Sequence, residues 1–111
     1  MKRGEVWMVD FGVPSGPEQA GVRPAIVLQE DALTEDLETT IVIPLTTKTK
    51  RLAIPTTVFF LAGEAGLPQD SVALCHQVQV RGKARFLSRV GTLTPGKLLD
   101  VQNALLDALG L

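Results

Sequence analysis

One cysteine and one histidine in 111 residues remove several familiar chemistries at the outset. Cys75 has no partner for an intrachain disulfide or for a zinc site built on cysteine pairs. His76 has no second imidazole for a two-histidine acid–base pair within one chain. Aromatic residues make up only 5% of the chain, too few for base stacking to dominate any binding of nucleic acid. No apolar run approaches the roughly 20 residues of a membrane span. Lys2 and Arg3 lead into Gly4-Glu5 rather than into the apolar stretch of an export signal. These absences predict a soluble cytoplasmic protein with no membrane contact. What is present, 45% apolar and 21% charged residues, is enough for one packed core, and residues 1–111 read as a single domain.

The net charge of −1 hides a segregation. Glu30, Asp31, Glu35, Asp36 and Glu38 crowd one segment without a Lys or Arg, and this segment reads as a solvated loop. Arg81, Lys83, Arg85 and Arg89 are the charged residues between Ser71 and Gly96, and Lys48, Lys50 and Arg51 form a second basic group. A polyanion responds to such local fields rather than to the overall charge. Ordinary solvated loops and edge strands would carry the same pattern.

The first ninety residues read as short strands divided by turns: Glu5 to Phe11, Ala25 to Leu28, Thr39 to Leu45, Thr56 to Leu61, Ser71 to Val80 and Arg85 to Leu93. Gly12 to Gly21 is a hairpin connection. Within the third run Ile41, Ile43 and Leu45 share one face and Val42, Pro44 and Thr46 the other. Pro44 has no N–H for a ladder, which predicts an edge strand or a bulge there. The tail changes period. Thr94 is suited to cap a helix, Pro95 to begin it, and Gly110 to close it. Leu98, Val101, Leu105, Leu106 and Leu109 recur between them at helical spacing. The expected fold is mainly β (α+β): a small, curved antiparallel β-barrel with a C-terminal α-helix.

The chemical inventory is short. The acids do not converge as a two-metal site requires, and Gly12, Gly16 and Gly21 have turn spacing rather than that of a nucleotide-binding loop. Ser71 and Ser88 have no base-and-orienter signature nearby. Arg, Lys, Thr and one His remain, a set suited to stabilising a phosphate in transit. Pro24 holds Arg23 in an extended backbone, so the guanidinium fork leaves the chain in a fixed direction at a strand start. Taken alone, that position also suits a surface ion pair. Trp7, Phe11, Phe59 and Phe60 read as core or interface packing, and Cys75 as a small buried filler.

Gly4-Glu5-Val6-Trp7 with Asp10-Phe11, then Glu18-Gln19-Ala20-Gly21-Val22-Arg23-Pro24-Ala25, resembles the opening of the MazF/PemK family of toxin endoribonucleases. Ile43-Pro44-Leu45-Thr46-Thr47 resembles its second signature, and Asp70-Ser71-Val72-Ala73 with Gln77-Val78 its third. The resemblance implies an SH3-like barrel and a homodimer. It also implies a sequence-specific, ribosome-independent endoribonuclease that cuts single-stranded mRNA with no metal or other cofactor. Attack by the ribose 2′-OH would leave 2′,3′-cyclic phosphate and 5′-OH ends. The family's catalytic Arg and Thr fall on Arg23 and Thr46. RNA contacts are expected from Glu18 and Gln19 on a flap formed by the first connection, and from Thr47, Lys48, Gln77, Gln79, Arg81 and Arg85. Gln79 stands where many members carry a basic residue. His76 falls where relatives often carry an acid, and reads as a surface or interface residue, with general base as the rival role. The implied partner besides RNA is a MazE-like antitoxin. Two other readings are a CcdB-like poison of DNA gyrase, whose C-terminal Trp-Gly-Ile this chain lacks, and an RNA-binding barrel without catalysis.

Overall fold

The computed structural model describes residues 1–13, 16, 20–50 and 54–111. Among these, seven strands form: β1 (Glu5–Asp10), β2 (Val22–Val27), β3 (Thr39–Thr46), β4 (Thr57–Phe60), β5 (Ser71–Leu74), β6 (Gln79–Gly82) and β7 (Phe86–Thr92). Two helices accompany them, α1 (Asp31–Asp36) and α2 (Pro95–Leu109). Every pairing is antiparallel, in the order β4-β5-β3-β2-β1-β7, with β6 also against β3. The end strands β4 and β7 do not pair among the described residues, so the sheet curls into a barrel-like form that hydrogen bonds leave open.

Both faces of the curled sheet are apolar, because alternate residues of β1, β2 and β3 point to opposite sides. Val6, Ile26, Ile43 and Leu45 join Phe60, Ala73 and Cys75 and the helix residues Val101 and Ala104 in the larger cluster. Val9, Phe11, Ala25, Val27 and Val42 make the smaller one, flanked by Trp7 and Phe86. Each fully buried Val, Leu, Ile or Phe contributes about 1.5–3 kcal/mol, so the strands are held chiefly by this double burial. Register shifts between β1 and β7 on either side of Trp7 and Met8 bend the sheet.

The connection after β4 crosses the open seam, and its turn at Glu64–Gly66 packs on β7. Gly66 has φ +75°; a Cβ there would collide with the Val90 carbonyl, and one at Gly91 with that of Ala65. Only two glycines let these backbones touch.

The helix α2 forms as its sequence predicts. Thr94 Oγ1 accepts the Lys97 N–H (3.3 Å), Pro95 takes the first position, and Gly110 ends the helix in the left-handed region. Leu98 and Leu105 pack toward the core, whereas Leu106 and Leu109 remain exposed.

Three expectations are corrected. The acidic segment is not all loop: Asp31–Asp36 is a short helix that buries Thr34. The run from Ser71 to Val80 is not one strand but β5, a tight turn at Cys75–Gln77, and then β6. Pro44 lies neither on an edge strand nor at a bulge, since β3 is paired on both sides. Leu28 N–H donates to the Ile41 carbonyl (3.0 Å), so Ile41, Ile43 and Leu45 turn their backbone groups toward β2. Val42, Pro44 and Thr46 therefore turn theirs to the other edge. That edge changes partner at this point: Val42 is matched with Gln79 of β6, and Leu45 is the next residue matched, with Ala73 of β5. The N–H that proline lacks would have faced the gap between two strands.

Candidate functional site

The β2–β3 ladder runs from Val27 against Val42 to Ala25 against Pro44, and stops there. Pro24 explains the stop, because the residue at its position would have to donate toward β3 and proline cannot. Carrying the register two positions further sets Arg23 opposite Thr46, on the same face as Ala25 and Pro44. The strands separate at that point and open a cleft of about 220 Å³ lined by Val22, Arg23, Pro24, Leu45, Thr46, Thr47 and Ser71. Two motifs far apart in the chain thus supply one hollow.

Within the cleft, Arg23 is half-buried and its Nε donates to the Ala20 carbonyl (2.8 Å). That bond fixes the root of the guanidinium fork. Burial lowers the Arg23 pKa from its ordinary value; arginine titrates so high that it stays cationic at neutral pH. Thr46 is 5% exposed, and its Oγ1 accepts the Lys48 N–H (3.2 Å). With the oxygen occupied as acceptor, the hydroxyl proton is the donor it has left. A cation and a hydroxyl donor at a strand opening can hold an oxyanion, as on a phosphodiester.

The remaining expected residues divide into three groups. Thr47 lines the cleft, and Lys48 lies beside it in a surface hollow with Thr47, Thr49 and Lys50. Glu18 and Gln19, in the flap, lie outside the described residues, as does Arg51; the flap's roots are tied by Phe11 N–H to Gly21 O (2.9 Å) and Gly21 N–H to Gly12 O (2.8 Å). Gln77, Gln79, Arg81 and Arg85 do not line the cleft. Gln79 and Arg81 pair with Val42 and Thr40 at the other end of β3, and Thr40 is about 20 Å from Thr46 at ~3.3 Å per residue. Gln79 Nε2 donates to the Gln77 carbonyl (3.2 Å). The Arg81 guanidinium stacks over the Phe11 ring at 5.2 Å. Arg85 faces Asp10 at 3.6 Å, an exposed pair worth little, and Arg89 pairs with Glu5 at 3.0 Å. Part of the basic segment is therefore neutralised locally, as the solvated-surface reading allowed.

His76 sits on the Cys75–Gln77 turn with Nδ1 2.9 Å from Thr56 Oγ1, and does not line the cleft. Cys75 is fully buried, and burial pushes its thiol up to about 12. Phe60 and Phe11 are core residues, as expected, and Trp7 meets Phe86 edge-on at 6.3 Å. The sequence reading missed Ser71, which is buried at the cleft wall with Oγ donating to the Gln69 carbonyl (2.9 Å). The third motif carried the signal. Thr46 pairs with Val72, so the register places Ser71 beside Thr47.

Comparison with known proteins adds an independent line. A family model described as the PemK-like, MazF-like toxin of type II toxin–antitoxin systems matches residues 2–109. An Endoribonuclease MazF from Staphylococcus epidermidis is 34% identical over 111 residues, covering all of this chain and 92% of the relative. Among solved structures, an endoribonuclease in complex with its cognate antitoxin, from a mycobacterial species, superposes with a TM-score of 0.83 at 25% identity. It covers all of this chain and 96% of its own. The fold of MazF from Deinococcus radiodurans matches with a TM-score of 0.86 at 24% identity, over all of this chain and 97% of that one. The gyrase-poison reading gains no support from these likenesses.

Proposed function

The chain belongs to the PemK-like, MazF-like toxins of type II toxin–antitoxin systems, and from that premise we propose that it is an endoribonuclease that cuts single-stranded mRNA in the cytoplasm at Arg23 and Thr46. The observation that carries this reading is the shared cleft: the two side chains that family resemblance singles out face each other where β2 and β3 part.

In the proposed step the ribose 2′-oxygen attacks the adjacent phosphorus and the bond from phosphorus to the 5′-oxygen breaks. A proton leaves the 2′-OH and one is delivered to the departing 5′-oxygen, giving 2′,3′-cyclic phosphate and 5′-OH ends. Arg23, cationic throughout, holds the non-bridging oxygens as their charge grows and stands close enough to supply the leaving oxygen. Thr46 donates to the same phosphate. Preorganised donors of this kind contribute about a hundredfold or more each. The cleft offers a guanidinium and hydroxyls, none of them a usual metal ligand, and metal-independent cutting follows from that donor set. Thr47 and Lys48 extend the site along the RNA backbone, and Glu18 and Gln19 close over it from the flap. Gln77, Gln79, Arg81 and Arg85 serve RNA bound across two protomers of a homodimer, each protomer a single domain. An antitoxin segment rich in acid would compete for the same cations, and the antitoxin complex of the mycobacterial relative supports such a partner.

The test is a long RNA incubated with purified protein, with and without EDTA, followed by mapping of the ends. Recurrent cuts that persist in chelator and carry cyclic phosphates are expected, and a 2′-deoxy nucleotide at the cut site should abolish them. RNA left intact would overturn the reading.

A further inference from the structure

A second hollow adjoins the cleft. It measures about 140 Å³ and shares Pro24, Thr47 and Ser71 with it. Its other walls are Met8, Leu67 and Val90, and Pro68 and Gln69 form an exposed lip. The surface is apolar apart from the hydroxyls at the shared wall and the Gln69 amide. The Gln69 carbonyl is held by Ser71 Oγ, which anchors the lip, while the side-chain amide makes no hydrogen bond among the described residues.

We propose that this hollow receives a single unstacked nucleobase next to the scissile phosphate, with Gln69 reading its polar edge; the inference rests on the nuclease reading above. Three observations support that occupant. A hollow of this size falls well below the ~300 Å³ at which drug-sized sites begin, which suits one flat ring system. Apolar walls with one amide at the rim match a base, whose faces are apolar and whose edge carries donors and acceptors. The shared wall places the hollow one nucleotide away from whatever phosphate Arg23 and Thr46 hold. An amide offers a donor and an acceptor side by side, so it discriminates between base edges as well as binding them.

The experiment maps cut sites on a long RNA of mixed sequence for the wild type, Gln69→Ala and Val90→Trp. The first variant removes the reading group, and the second fills the hollow from its half-exposed wall. Preference at one nucleotide beside the cut should fall about tenfold in Gln69→Ala while other positions keep theirs. Binding of an uncleavable 2′-deoxy oligonucleotide supplies the second readout. Removing that one base should weaken binding to the wild type about tenfold and leave binding to Val90→Trp unchanged. Cutting whose preferences survive in both variants overturns the pocket assignment alone. A Val90→Trp protein that changes its oligomeric state, with preferences intact, assigns the hollow to contact between protomers and also overturns it. Absence of any cutting by the wild type removes the nuclease reading and this inference together.

Discussion

Thr40 and Thr46 lie on the same strand and the same face, and both are nearly buried, yet their surroundings are opposite. Thr40 has strands on both sides, and α1 covers it; its Oγ1 meets Thr34 Oγ1 at 3.2 Å, and Gln29 Nε2 ties Thr34 Oγ1 (3.2 Å) and the Thr39 carbonyl (3.0 Å) into the same knot. Thr46 has β5 on one side and, on the other, a strand that has already turned away. The residue is the same at both ends, and the pairing makes the difference. A completed ladder makes a buried threonine part of the scaffold, whereas an interrupted one leaves its hydroxyl facing a cleft. Burial alone would have ranked the two alike.

Substitution at the two ends should separate activity from stability. Arg23→Ala or Thr46→Val should cost about a hundredfold or more in RNA cleavage, read as initial rates on a fluorogenic oligonucleotide, with little change in the thermal midpoint. Thr40→Val should do the reverse: it costs about 1–2 kcal/mol in denaturant unfolding because it breaks a buried polar knot, and leaves cleavage within about twofold. Equal losses of activity at both ends would erase the distinction.

Glu5 provides a reference away from both ends. Burial raises its pKa, but the Lys2 N–H, the Trp7 indole N–H and Arg89 together outweigh that and hold it below the ordinary carboxylate value. A lowered pKa means stability that is present above the ordinary value near 4.5 and lost as pH falls through the lower native value. Glu5→Gln should therefore cost about 1 kcal/mol at pH 7, and the difference from wild type should vanish in acid. The smallest expected signal is at Cys75. A thiol raised to about 12 by burial should resist iodoacetamide in the native protein and react once the chain is unfolded.

How much of this was legible in the sequence follows from the range of each signal. The helix α2 could be read because its cap, its Pro and its leucine spacing are all local. The short α1 could not, since its six residues complete too few turns for a period to stand out from a run of acids. The division of β5 from β6 was hidden because Ser71 to Val80 is almost continuously strand-like, and only contact with α2 and β3 imposes the turn at Cys75–Gln77. Pro44 was read correctly as a missing donor and misplaced, because only the tertiary pairing reveals that β3 changes partner beside it. At the site, resemblance found Arg23 and Thr46 through their motifs. Ser71 became visible only through the register that sets it beside Thr47.

The touching glycines, Gly66 and Gly91, bear on how such a molecule could diversify. They seat the Leu67–Gln69 lip on β7 through main chain alone, so its position is indifferent to which side chains the lip displays. Pro68 and Gln69 are thereby released to vary as a removable faceplate, one that can be exchanged without disturbing the frame that carries the cutting residues.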